Sequence, residues 1–167
     1  MYYSKIKYND VANGPGLRLS LFTSGCTHHC KGCFQPETWN FDNGEPFTSE
    51  VQKNIIEKSR SRYTAGLSLL GGDPLDNVDG ILPLLKEYRD VFGNTKTIWL
   101  WTGYLFEEII NDEKMSEALP FIDVIVDGKF IEGQKDITLK YMGSSNQRVI
   151  DVPNTLETGK IVLYNED

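Results

Sequence analysis

"LRLSLFTSGCTHHCKGC" (17–33) joins an apolar run of strand length to a loop that holds every thiol and every imidazole in the chain. Three other runs repeat the pattern of a short apolar strand ending in turn residues: "LSLL" (67–70), "TIWLW" (97–101) and "IDVIVD" (122–127). The first run alternates, which predicts one face less deeply buried. The other three are nearly continuous, as strands covered on both faces tend to be.

Helical periodicity fills the gaps between the runs. "TSEVQKNIIEKSRSRY" (48–63) offers Thr48 or Ser49 as an N-cap and sets Val51, Ile55 and Ile56 at helical spacing. "DNVDGILPLLKEYRDVF" (76–92) carries Ile81, Leu84, Leu85 and Tyr88 on one stripe. Its Pro83 fits best in a first turn, which makes Asp79 the expected cap. "YLFEEIINDEKMSEAL" (104–119) reads as helix in its first half, with Asn111-Asp112 as a break. The order β-α-β-α-β-α-β implies parallel strands with right-handed crossovers.

The expected fold class is therefore α/β: an open partial (β/α) barrel with parallel strands, since 167 residues are too few for eight βα units. The length fits a single domain, 1–167. Beyond Gly128 the pattern fades into turns. Residues 129–167 are expected to be irregular and to act as a cap or lid, with "RVIDV" (148–152) and "KIVLY" (160–164) as short strand candidates.

On this frame the cysteine loop follows the first strand, "GGDP" (71–74) the second, "TGY" (102–104) the third and "DGKF" (127–130) the fourth. All four lie at the carboxyl ends of parallel strands, the edge that carries the active site in such folds.

Cys26, Cys30 and Cys33 are spaced Cys-x3-Cys-x2-Cys. Two metal chemistries fit. Zinc could complete a Cys3His tetrahedron with His28 or His29, although four ligands within nine residues would tie together only this loop. A 4Fe-4S cluster held by three thiolates would instead leave one iron open to a small molecule. The histidines would then be non-ligands that bond the loop or face solvent.

Gly71 and Gly72 admit close approach of a ligand to the backbone, and Asp73 could help hold a cationic amino group; a plain strand-to-helix turn explains the same residues. Thr102 could donate to a carboxylate, while Trp99 and Trp101 suit a core. Asp123 and Asp127 share one side of their strand, within reach of Lys129.

A net charge of −7 argues against a nucleic-acid backbone as partner. No run approaches the length of a membrane span, and the start lacks an export-type apolar segment, so a cytoplasmic protein is expected. Clustered thiols in a reducing compartment read as metal ligands rather than disulfides.

The three thiolates followed by a strand-end "GGDP" resemble the radical S-adenosylmethionine superfamily. "NGPGLR" (13–18), "GCTHHCKGCFQPETW" (25–39), "IWLWTGY" (98–104), "DVIVDGKF" (123–130) and "GSSNQRVID" (143–151) extend the resemblance to the activating proteins of anaerobic (class III) ribonucleoside-triphosphate reductases.

The resemblance implies an oxidoreductase in which Cys26, Cys30 and Cys33 hold a 4Fe-4S cluster that binds and cleaves S-adenosylmethionine. Gly71, Gly72 and Asp73 would accept the methionine amino group, Thr102 would face the methionine portion, and Gly32 and Phe34 would contact the adenosine end. Gly32 stands where much of the superfamily has an aromatic residue, and Asp73 where glutamate is commoner. The implied partners are the reductase, whose glycyl-radical loop is the substrate, and flavodoxin or a similar electron donor. "GSSNQR" would shape the partner-facing rim, with Arg148 as an ion-pairing residue. Pyruvate formate-lyase activating enzymes, 7-carboxy-7-deazaguanine synthase and a zinc-stabilised binding module are the competing identities.

Overall fold

The computed structural model describes residues 1–166. Its elements are β1 (Tyr2–Asp10), β2 (Leu17–Thr23), β3 (Glu45–Pro46), α1 (Ser49–Ser59), β4 (Thr64–Gly71), α2 (Val78–Phe92), β5 (Thr97–Trp101), α3 (Phe106–Ile110), β6 (Val124–Asp127), β7 (Arg148–Asp151) and α4 (Val152–Thr158). They form a mixed α/β fold on one open seven-stranded sheet, in the order β3-β1-β2-β4-β5-β6-β7. The four central strands β2, β4, β5 and β6 run parallel. The outer pairings, β3 with β1, β1 with β2 and β6 with β7, are antiparallel.

The apolar stripes dictate which face the helices cover. Ile55 and Ile56 of α1, Ile81, Leu84, Leu85 and Tyr88 of α2, and Phe106 and Ile109 of α3 are buried in one cluster. That cluster also takes Leu19, Leu21, Leu67, Leu69, Ile98, Leu100 and Ile125, alternate residues of the parallel strands. The opposite face has a second cluster of Trp99, Val124 and Val126, packed against Trp101, Tyr141, Met142, Val149 and Tyr164. No helical residue belongs to it, so helices cover one face and the chain after β6 covers the other.

Several expectations are corrected. The alternation in β2 does not mark an exposed face, because Arg18 and Ser20 are fully buried. Arg18 is accommodated because its guanidinium donates to Ser68 Oγ, Thr97 Oγ1 and the carbonyls of Pro15, Leu67 and Thr97.

Asp79 is not the cap of α2. A 3-10 turn, Pro74–Asn77, leads directly into the helix, and Pro83 falls inside it. The carbonyl of Asp79, which loses its partner to the proline, belongs to an exposed residue that water can reach. The segment after residue 128 is irregular through Gln147 except for a short 3-10 turn, then forms β7 and α4. "RVID" becomes an edge strand because it pairs with β6, whereas the later "KIVLY" makes only an isolated bridge, Leu163 to Ile150.

Other local readings hold. Thr48 Oγ1 accepts from Val51 N at the start of α1, and α3 stops at Asn111.

Candidate active site at the carboxyl edge of the parallel strands

The cysteine loop is anchored backbone to backbone. Gly25 N donates to Thr38 O (2.7 Å), Cys26 N to Trp39 O (3.2 Å) and Cys33 N to Cys30 O (3.1 Å). The end of β4 runs beside it, with Gly72 N donating to Thr23 O (2.8 Å) and Asp73 N to Gly25 O (2.8 Å). Both glycines are required for that approach. Gly71 has φ +111°, and a methyl group on Gly72 would stand 2.5 Å from Gly25 O and 2.7 Å from Thr38 O.

Cys26, Cys30 and Cys33 are free thiols that line one cavity of about 550 Å³. Phe34, Gly71, Gly72, Asp73, Thr102, Gly103 and Gly128 line the same cavity, so all four strand-end motifs meet there. Gly32 does not line it; its φ of +76° turns the loop beside the Glu132 side chain. Phe34 is 61% exposed and lies 4.9 Å from the Phe130 ring. Trp99 is core, as expected, while Trp101 reaches the cavity wall and donates its indole N–H to Tyr141 O (2.7 Å).

Burial pushes the Cys26 thiol up to about 11, against the backbone N–H groups of His28 and His29 that favour its thiolate. Burial also raises Cys30, opposed by the backbone N–H of Phe130. Three free thiols on one cavity wall suit a thiolate-bound metal centre.

Among the described residues, one trio of ligand types has all its ligating atoms within 4.8 Å of one another: Cys26, His28 and Asp76. The three cysteine sulfurs are not that close together. Three thiolates on one zinc ion would stand about 3.8 Å apart, whereas cysteines on separate irons of a cluster stand wider. His28 and Asp76 are moreover engaged elsewhere. The donor set fits a cluster better than a single ion.

Asp73 is the hub of the site. Its carboxylate is fully buried and accepts from Leu75 N (3.0 Å), Thr102 Oγ1 (3.0 Å), Gly103 N (2.9 Å) and His28 Nε2 (2.6 Å). Thr102 Oγ1 in turn accepts from Tyr104 N (3.1 Å). The two polar side chains expected to face a ligand therefore face each other.

Asp76 makes a second clasp. It accepts from Thr27 N (2.9 Å) and from the Tyr104 hydroxyl, whose pKa is pushed up to about 12 by burial and by this bond. His28 packs edge-on against Tyr104 at 4.5 Å, and His29 stacks on Trp39 at 4.5 Å. Thr27, His28, Asp76 and Tyr104 were not distinguished by sequence as a set, because their contacts span 28 to 77 positions.

Asp123 and Asp127 are structural. Asp123 accepts from Ile98 N and pairs with Arg89, while Asp127 accepts from Phe106 N and pairs with Arg148. Lys129 pairs with neither among the described contacts.

Residues 12–150 match the family described as a 4Fe-4S single cluster domain. Curated relatives named anaerobic ribonucleoside-triphosphate reductase-activating protein align over nearly their whole length. The protein of Vibrio cholerae is 44% identical over 151 residues, covering 88% of this chain and 96% of its own. That of Haemophilus influenzae is 42% identical over 151 residues, covering 88% and 96%. That of Escherichia coli is 42% identical over 153 residues, covering 89% and 97%.

Proposed function

The chain belongs to the family of anaerobic ribonucleoside-triphosphate reductase-activating proteins, and from that premise we propose that it installs a glycyl radical on such a reductase. The observation that carries the reading is the convergence of three free thiols and the Gly71-Gly72 strand end on one cavity. When bound, a reduced 4Fe-4S cluster and S-adenosylmethionine supply methionine and a 5′-deoxyadenosyl radical that takes a hydrogen atom from a glycine Cα of the reductase.

The chain's own residues bind, orient and exclude water. Cys26, Cys30 and Cys33 would hold the cluster through their thiolates. Gly71 and Gly72 present backbone to the methionine amino group, with Asp73 and Thr102 behind them. Phe34, already on the cavity wall, takes the adenosine end, and Gly32 gives the loop a left-handed turn just before Cys33.

The sheet acts as an open partial (β/α) barrel within a single domain. Support comes from the cover of one face by helices and of the other by Trp99, Tyr141 and Tyr164. A closed barrel would admit a small molecule; an open one admits a polypeptide loop. Flavodoxin or a similar protein is the electron donor, and the cytoplasm the setting. Among the described residues, no helix is long and apolar enough to cross a membrane.

Anaerobic reconstitution tests the reading through its products. Parent protein with dithionite and S-adenosylmethionine is expected to bind about four irons per chain and release 5′-deoxyadenosine. Cys30→Ala should lose both. One zinc per chain with no 5′-deoxyadenosine would overturn the proposal.

A further inference from the structure

The carboxylate of Asp73 has no vacancy for a ligand. It is 0% exposed, and its two oxygens serve donors from three separate places: His28 in the cysteine loop, Thr102 and Gly103 after β5, and Leu75 in its own turn. His28 is equally enclosed, with a side chain 5% exposed and its ring against Tyr104. Gly103 lacks a side chain where one is needed least, because a methyl group there would stand 2.6 Å from the His28 ring.

We infer that Asp73 and His28 are positioning residues that act as one pin. His28 carries the cysteine loop, Asp73 carries the end of β4, and Thr102 with Gly103 carries the end of β5. Their shared bonds fix the three thiols against the Gly71-Gly72 edge before any metal binds. The methionine amino group is then received by backbone at that edge, and Asp73 sets the edge without touching the ligand. The ligand part of this inference rests on the function proposed above; the pin itself does not.

The parallel clasp through Asp76 explains why one pin does not act alone. Asp76 holds Thr27, the neighbour of His28, and Tyr104, the neighbour of Gly103. Acidic residues three apart on one turn thus grip consecutive residues of the loop, so removing His28 should loosen the loop without unfolding the sheet.

Hydrogen exchange on the full cluster-free chain tests the pin. His28→Ala is expected to speed exchange at amides of residues 25–33 and 102–104 by about ten- to a hundredfold, the loss of one hydrogen bond to a charged group. Amides of β4 and α2 should be unchanged. His28→Gln, whose amide can still donate to Asp73, should recover part of the protection. Asp73→Asn should loosen the same amides, and the His28→Ala/Asp73→Asn double variant no more than the worse single variant.

Loop protection unchanged in His28→Ala, or single effects that add in the double, would overturn the inference. If Asp73→Asn fails to fold, the His28 pair still decides the exchange result. In reconstituted protein, KM for S-adenosylmethionine should rise in both single variants without adding. A rise confined to Asp73→Asn would mean direct contact with the ligand and refute the positioning role. Parent protein that binds no cluster would remove the function proposed above while leaving the exchange result intact.

Discussion

Gly72→Ala separates two reasons for a glycine at this edge. The residue does not need a left-handed conformation, so alanine brings only its methyl group. That methyl would stand 2.5 Å from Gly25 O and 2.7 Å from Thr38 O, where ordinary contact begins at 3.4 Å. The two carbonyls would have to retreat by about 0.9 and 0.7 Å, and both are backbone (3.4 − 2.5 and 3.4 − 2.7).

Each carbonyl is also an anchor of the loop, accepting from Asp73 N and from Gly25 N respectively. Overpacking of about 1–3 kcal/mol, with one or both bonds stretched at about 1 kcal/mol each, gives a cost of about 3 kcal/mol. For a chain of this size that lowers Tm by about 6–12 °C. Thermal unfolding of the cluster-free protein reads it directly. Gly133→Ala is the control, since nothing lies within 4 Å of its new methyl group, and it should stay within about 0.5 kcal/mol of the parent. A Gly72→Ala protein as stable as the parent, but unable to bind S-adenosylmethionine, would show that the glycine serves the ligand and not the loop.

Other expectations follow from single contacts. Arg18→Met removes a buried cation whose pKa burial holds down at about 10, but strands five acceptors. The bonds outweigh the burial cost, so a loss of about 2–4 kcal/mol is expected in urea unfolding, and equal stability would reverse that ranking. Arg148→Ala leaves the fully buried Asp127 without its cation; because Arg148 is partly exposed, the loss should be about 1–3 kcal/mol. An unchanged denaturation midpoint would contradict a structural role for the pair.

Tyr104 titrates near 12 in the fold against about 10 when unfolded, through burial first and then its bond to Asp76. The unfolded chain therefore loses this proton first. The contribution is fully present below about pH 10 and is lost as pH rises towards 12. Tyr104→Phe should lack that part of the alkaline slope, and identical slopes in the two proteins would show that the phenol does not titrate differently on folding.

The four parallel strands were legible because each is an apolar run closed by turn residues, and α1 and α2 because their stripes are regular. β1 was not, since Lys5, Lys7, Tyr8 and Asn9 are exposed and the strand has no continuous apolar face; its pairing with β2 makes it a strand. β7 was only a candidate because four residues are too short a run to mark a strand; its pairing with β6 makes it one. The cysteine spacing and the glycines were visible as signals of a site. The role of Asp73 was not: a carboxylate beside two glycines reads as a ligand contact until His28, Thr102 and Gly103 are seen to occupy it. Such partners are set by tertiary placement and leave no local pattern.

The central claim concerns a radical delivered to another protein, so its most direct test is electron paramagnetic resonance of the whole system. Reconstituted, reduced protein is mixed with S-adenosylmethionine and the anaerobic ribonucleoside-triphosphate reductase from the same source. The account predicts a glycyl-radical doublet on the reductase that is absent with Cys30→Ala. A protein that cleaves S-adenosylmethionine yet leaves the reductase without that doublet would contradict it.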